Sequence, residues 1–273
     1  MAVSPFPAEG GASLPLSCFF AHDAHDAASL PRLPAGNVLL CGPPRSGKTT
    51  LLFHACSRAA GASPAARATL LARRSALEAS PPLVAPEKAP PGDALSRVDV
   101  RYLETDADLR KWCANSHLLS DQPSLIGVDD LSSFVDAGHK GDRRARDAAL
   151  ARTIACLHDA AAHASARLAA AAAAAAGCTD CTDGSLGTPR CQLVVAEKAS
   201  ESGDGPPSLF VYQRWFQSIL SLRHAAPGDD AAGAAAGGNG LVMSLLPKQG
   251  ATTTMKAVRY SITPCALLLD GLA

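Results

Sequence analysis

Gly42, Pro43, Pro44, Arg45, Ser46, Gly47, Lys48 and Thr49 match the pattern G-x-x-x-x-G-K-[ST]. Each part has a chemical use. The glycines let the backbone turn so that successive N–H groups face an anion. Lys48 reaches outer phosphates, and the Thr49 hydroxyl is placed for Mg²⁺. Thr50 follows at the start of the same helix and joins the candidate nucleotide contacts. The expected ligands are ATP and Mg²⁺. The local context agrees. Asn37-Val38-Leu39-Leu40-Cys41 is a short apolar run that reads as a buried strand. Thr49 to Ala60 reads as a helix with Gly61 as its stop. The positive end of that helix points at the same anion.

A carboxylate is needed opposite the threonine. Asp129 ends the apolar strand Ser124-Leu125-Ile126-Gly127-Val128, where it reaches a metal through water. Asp130 is the weaker choice, because the next side chain turns away. The competing reading of Asp129 is a cap for the following element.

A second kind of chemistry is suggested by Gly138 to Arg146. Lys140, Arg143, Arg144 and Arg146 stand there against Asp142. Positive charge at a helix start opposes the macrodipole, so helix stability does not explain the cluster. Phosphate contact with DNA does, and a solvated helix start is the alternative. Cys178, Cys181 and Cys191 raise zinc, with His158 and His163 as further donors, against a loop with incidental cysteines. Phe134-Val135-Asp136-Ala137 fits F-x-x-A, but its place just after Asp129 predicts that Phe134 packs under the sheet. His54 is expected in the core or at its edge.

Composition bounds these readings. The chain has 273 residues, 25 Lys+Arg and 25 Asp+Glu. Neutral balance excludes a protein whose whole surface binds a phosphate backbone, but not a local basic site. The hydrophobic fraction is 47%, yet 55 residues are Ala. Without them about 27% is apolar, enough for one packed domain. No transmembrane helix is expected. The first forty residues hold Arg32 as their one basic side chain and acids including Asp23 and Asp26, unlike a targeting segment. Nine Cys, an odd number mostly placed singly in apolar segments, read as buried thiols in a reducing compartment.

The elements that position these residues follow from periodicity. Residues 1–36 read as a flexible leader and 37–273 as a single domain. Low-complexity insertions are expected near 79–93, 169–190 and 225–240. Further strands are predicted at 69–72, 98–103 and 192–196. A helix capped by Thr105-Asp106 carries Leu109, Trp112 and Cys113 on one face, and a long Ala-rich helix covers 143–168. Apolar segments at 209–222, 241–246 and 255–269 finish the sheet. Alternating strands and helices predict an α/β fold, a mostly parallel twisted sheet flanked by helices.

Several segments together carry a resemblance: GPPRSGKTTLLF (42–53), LLARRS (70–75), LIGVDDLSSF (125–134), ACLHDAAAHASARL (155–168), 193–196 and QRWF (213–216). In this order they are similar to the atypical RecA/Rad-family recombinase paralogues, the Shu-type ATPases that associate with SWIM-domain zinc proteins. The resemblance covers about 38–222. It implies a RecA-like P-loop NTPase core. It also implies an accessory role in homologous recombination, with nuclear residence, a SWIM-domain partner, a RecA/Rad-type recombinase and single-stranded DNA. Loop one of that family corresponds to the basic window at 138–146, and loop two to 199–208, which carries Glu201 and Asp204 and lacks basic and aromatic residues.

One departure bears on turnover. The family's catalytic Glu should end the strand at 69–72, where this chain has Arg73 and Arg74. Glu78 lies beyond that point. Glu197, at the sensor position with Lys198, is the substitute base, so the candidate catalytic residues are Lys48 and Glu197. A positioned base is worth roughly 10²–10⁴ in rate, so weak DNA-stimulated hydrolysis is expected. A nucleotide-binding scaffold without turnover, or a small-molecule kinase on the same loop, remain as alternatives.

Overall fold

The computed structural model describes residues 14–20, 30–84, 92–136, 138–139, 141–176, 189–200, 205–225, 239–246, 257–263 and 267–272. Nine strands lie within them: β1 (Val38–Gly42), β2 (Ala68–Ala72), β3 (Val98–Tyr102), β4 (Leu125–Val128), β5 (Gln192–Lys198), β6 (Ser218–His224), β7 (Asn239–Leu245), β8 (Val258–Ile262) and β9 (Leu267–Leu272). Among the described residues they form one sheet in the order β3-β2-β4-β5-β1-β6-β7-β8-β9. The strands from β3 to β6 in that order pair in parallel. The last four form an antiparallel meander. The expected α/β architecture is therefore present, with a mostly parallel sheet.

Helices cover both faces. They are α1 (Lys48–Gly61), α2 (Arg74–Ala79), α3 (Gly92–Leu95), α4 (Asp106–Asn115), α5 (Leu131–Asp136), α6 (Arg143–Ala176) and α7 (Leu209–Trp215). Successive strand residues point to opposite faces, so a strand covered on both sides must be apolar throughout. Leu40, Leu70, Val194 and Ala196 pack with Leu51, Leu52, Ala55 and Cys56 of α1. Leu39, Leu71, Val128 and Val195 pack on the other face with Leu109, Phe134, Leu150, Ile154 and Leu157 of α4, α5 and α6. Thr105 caps α4 by accepting from the Asp108 N–H at 3.1 Å, while the Asp108 carboxylate accepts from the Thr105 N–H at 3.0 Å. This reciprocal pair satisfies two backbone donors at the helix start.

Part of the expected flexible leader is packed into the core. Leu16 and Phe19 are fully buried and Leu33 nearly so. Pro15 and Arg32 form an antiparallel bridge, and the Leu33 N–H donates to the Leu14 carbonyl at 2.8 Å. His54 of α1 is buried and its Nδ1 lies 3.3 Å from the Phe19 carbonyl oxygen. Burial lowers the His54 pKa, so the neutral ring is favoured. The segment hides in sequence because its 3-10 turn is only four residues, Leu16–Phe19, too short to show a period. Leu33→Ala should cost about 2–5 kcal/mol by the usual cavity penalty. A chemical-denaturation midpoint indistinguishable from the parent would show that the segment does not belong to the core.

The proposed insertions divide. Ala169 to Ala176 continue α6, so this part of the alanine tract is helix. Ala is the best helix former and loses no side-chain entropy there. Within 79–93, the Ser80 N–H closes α2 on Ala76, and the Leu83 N–H donates to Thr50 Oγ1 at 3.0 Å. Residues 85–91, 177–188 and 226–238 lie outside the described residues.

Candidate functional site: a phosphate loop facing a strand-end carboxylate

The loop between β1 and α1 lies at the carboxyl edge of the parallel strands. Arg45 (φ 62°) and Gly47 (φ 77°) are left-handed, which turns the chain tightly before the helix begins. At Gly47 a side chain is disfavoured on two counts. The left-handed backbone strains any Cβ, and a built Cβ would lie 2.9 Å from Leu267 Cδ1. The Lys48 ammonium lies over the loop and donates to the Gly42 and Pro43 carbonyls at 3.0 and 2.7 Å. Desolvation by burial lowers its pKa, opposed by the negative charge of Asp129.

Thr49 and Asp129 meet across 80 residues of sequence. The Thr49 hydroxyl donates to the Asp129 carboxylate, with oxygens at 3.0 and 3.2 Å. Strand order produces this contact. β4 is held between β2 and β5, and the Asp129 N–H donates to the Leu71 carbonyl at 2.9 Å. Burial pushes the Asp129 pKa up to about 6, partly offset by the Thr49 hydrogen bond. A buried carboxylate of this kind favours a nearby cation. Hydroxyl and carboxylate oxygens are also the donor type that Mg²⁺ prefers, so the pair fits that ion. Asp130 takes a different partner, although its charge still acts on Lys48 and Asp129. It has φ 54°, and its carboxylate pairs with Lys198 Nζ at 2.7 Å.

No known protein family matches the chain, and no curated protein matches it in sequence. In three dimensions it is similar to the crystal structure of the RadB recombinase, with a TM-score of 0.50 and 12% identity. The match covers 85% of this chain and 89% of that one. The fold is RecA-like.

In this RecA-like frame the end of β2 carries Arg73, whose Nε lies 3.5 Å from the Glu104 carboxylate just after β3. The Arg74 guanidinium sits 4.7 Å from the centre of the Tyr102 ring. Both cations are thus directed toward β3, and Glu78 pairs with Arg74 at 3.6 Å on α2.

Glu197 occupies a different setting from the one a base needs. It is completely buried on the face covered by α5 and α7. Its carboxylate accepts from the Ser132 N–H (2.9 Å), the Ser132 hydroxyl (2.6 Å), the Lys198 N–H (2.8 Å) and the Tyr212 hydroxyl (2.6 Å). Burial raises its pKa, and these donors oppose the rise. A general base must offer a lone pair to water. Here the lone pairs are directed at protein donors, so the group ties β5, α5 and α7 together. Sequence reasoning missed this cluster because Ser132 and Tyr212 lie 65 and 15 residues from Glu197. A polar residue ending an otherwise apolar strand was the one available signal.

The basic window splits in the same way. Arg143 is 82% exposed at the start of α6, and Arg144 is exposed beside it. Arg146 is held inward by the Asp136 carboxylate, and its guanidinium lies 3.4 Å from Ser208 Oγ. Lys140 lies outside the described residues. Arg143 and Arg144 therefore face solvent together, whereas Arg146 fastens α6 to α5 and to the start of α7. Phe134 is fully buried, as expected for packing under the sheet. Tyr212 and Phe216 of the QRWF region are also fully buried.

Cys191 is buried in the core, with its N–H bonded to Ser165 Oγ at 2.9 Å. Cys178 and Cys181 lie outside the described residues. Among the described residues no group of three or more metal-binding side chains forms, and no helix is long and apolar enough to cross a membrane.

Proposed function

We propose that this chain is an ATP- and Mg²⁺-binding accessory factor of homologous-recombination DNA repair. The observation that carries the reading is the Thr49–Asp129 contact beside Lys48, which places a hydroxyl, a carboxylate and an ammonium around one loop. The RecA-like fold supports it, as does the resemblance carried by the LLARRS, LIGVDDLSSF and QRWF segments. On this reading the chain acts in the nucleus. It pairs with a SWIM-domain zinc protein, contacts single-stranded DNA and supports a RecA/Rad-type recombinase filament.

In the proposed mechanism, the backbone N–H groups and Lys48 bind the phosphates, while Thr49 and Asp129 hold the metal. Mg²⁺ would neutralise phosphate charge there. Arg73 at the end of β2 and the protein-bonded carboxylate of Glu197 support slow turnover, because neither supplies a lone pair for water. The same two observations favour a second reading, a nucleotide-binding scaffold that does not hydrolyse ATP.

The testing experiment is ATP turnover by the purified chain, with and without single-stranded DNA, beside Lys48→Ala. DNA-stimulated turnover that disappears in the variant supports the recombination reading. Phosphate transferred to a small molecule would instead identify a kinase. Lys48-dependent binding without turnover would select the scaffold. Co-purification with a SWIM-domain protein tests the partner directly.

The exposed arginines give a separate expectation. Reversing Arg143 and Arg144 to Glu should weaken single-stranded DNA binding and flatten its salt dependence, by about 0.7 in log–log slope for each phosphate no longer neutralised. Arg146→Ala should mainly lower the melting temperature, since Arg146 is held by Asp136 and Ser208. Salt titrations of fluorescent-oligonucleotide anisotropy distinguish the two. Equal slopes for the reversed and parent chains would remove Arg143 and Arg144 from the DNA surface.

A further inference from the structure

The phosphate loop is braced from outside by the antiparallel part of the sheet. Tyr260, at the centre of β8, is fully buried, and its hydroxyl donates to the Ser46 carbonyl at 2.8 Å. The two residues are 214 positions apart. Leu267 of β9 and Ile262 of β8 close over Gly47, where a built Cβ would lie 2.9 and 3.1 Å from their Cδ1 atoms. Leu222 of β6 closes over Gly42, with its Cβ 2.7 Å from a built Cβ there. Phe20, from the N-terminal segment, stands edge-on to the Tyr260 ring with centroids 5.8 Å apart. Three strands and the N-terminal segment thus converge on the outer side of a loop whose recognisable motif lies wholly within residues 42–49.

The peptide geometry gives this bracing a direction. A trans peptide is planar, so the carbonyl of one residue and the N–H of the next point to opposite sides. Holding the Ser46 carbonyl toward Tyr260 therefore aims the Gly47 N–H away from β8. Burial raises the Tyr260 pKa far above the ordinary phenol value, which keeps the hydroxyl a neutral donor.

We propose that Tyr260 is a positioning residue for the phosphate loop, holding the Ser46–Gly47 peptide in the orientation that presents its N–H to a bound polyphosphate. This rests on the reading of residues 42–49 as a nucleotide site. Tyr260 acts through the peptide and touches no phosphate itself.

Tyr260→Phe removes one oxygen and keeps the ring contacts. With the full chain, the probe is Mg²⁺–ATP measured by equilibrium titration, with inorganic tripolyphosphate as a second ligand lacking a base. The variant should bind both about 3- to 10-fold more weakly, the equivalent of one buried hydrogen bond. Hydrogen exchange should accelerate at the Gly47 and Lys48 amides and stay unchanged in β1 and β4. A purely structural role would instead raise exchange throughout the sheet. Should Tyr260→Phe fold poorly, Phe20→Leu loosens the ring while sparing the hydroxyl, and a smaller loss in the same direction is expected.

Parent-like affinity in Tyr260→Phe, with binding still lost in Lys48→Ala, overturns the positioning role and leaves the nucleotide site standing. Weaker binding matched by faster exchange across the whole sheet also overturns it. A parent chain that binds neither ligand removes the nucleotide site and this inference together.

Discussion

Lys48→Ala is expected to lower ATP affinity by roughly 100-fold while leaving the fold intact. The ammonium makes charge-assisted contacts, each worth about 1.5–3 kcal/mol. Losing about 3 kcal/mol is a factor of roughly 100. The fold should tolerate the change because, among the described residues, the hydrogen bonds of Lys48 go to the loop itself, at Gly42, Pro43 and Ser46, and it gives up solvation to make them. Differential scanning fluorimetry separates the two effects. At ATP concentrations near 100 times the dissociation constant, the parent gains about 2.7 kcal/mol. For a domain of this size that is a rise of roughly 5–10 °C. The variant should lose most of the nucleotide-induced rise, keeping about 0.4 kcal/mol of it, and keep its melting temperature without nucleotide. An undiminished rise in Lys48→Ala would place ATP elsewhere on the molecule.

Glu197→Ala should be strongly destabilising, costing about 3–5 kcal/mol. The substitution leaves the Ser132 N–H, the Lys198 N–H and two hydroxyls without their acceptor in a fully buried site. Melting should fall on the order of 10 °C. Glu197→Gln separates positioning from base catalysis. It keeps one acceptor oxygen, turns an NH₂ toward a donor, and should cost about 1–3 kcal/mol. A base role predicts the opposite pattern: turnover lower by roughly 10²–10⁴, with little change in melting. Measuring both quantities on Glu197→Gln decides between them, and an inactive but fully stable variant would restore Glu197 as the base. Tyr212→Phe provides an independent check, since it removes one of the four donors and nothing else. Its phenol is raised well above the ordinary value, first by burial and then by Glu197, as expected for a donor fixed against a carboxylate.

Local chemistry and periodicity were sufficient to locate the parts of this protein that repeat a backbone pattern. The phosphate loop is legible because its spacing is set by the size of a phosphate and the turn before a helix. β1, β2, β4 and β5 are legible because strands covered on both faces must be continuously apolar. Thr105 announces α4 because a helix start leaves donors that a short side chain can satisfy. The strand-end position of Asp129 could likewise be read from the apolar run before it.

What the tertiary structure decided is which distant groups meet. Arg143 and Arg146 look alike in the chain, three residues apart. Only the packing of α5 and α7 against α6 shows that Arg146 turns inward to Asp136 and Ser208 while Arg143 remains in water. Glu197 reads as a spare acid until Ser132 and Tyr212 are placed around it. The N-terminal segment reads as loose because a four-residue turn has no period, yet α1 and β8 need Leu16, Phe19 and Phe20 to complete their burial. Tyr260 carries no sequence signal at all. Its partner is a backbone carbonyl 214 residues away, and a carbonyl is the same in every residue.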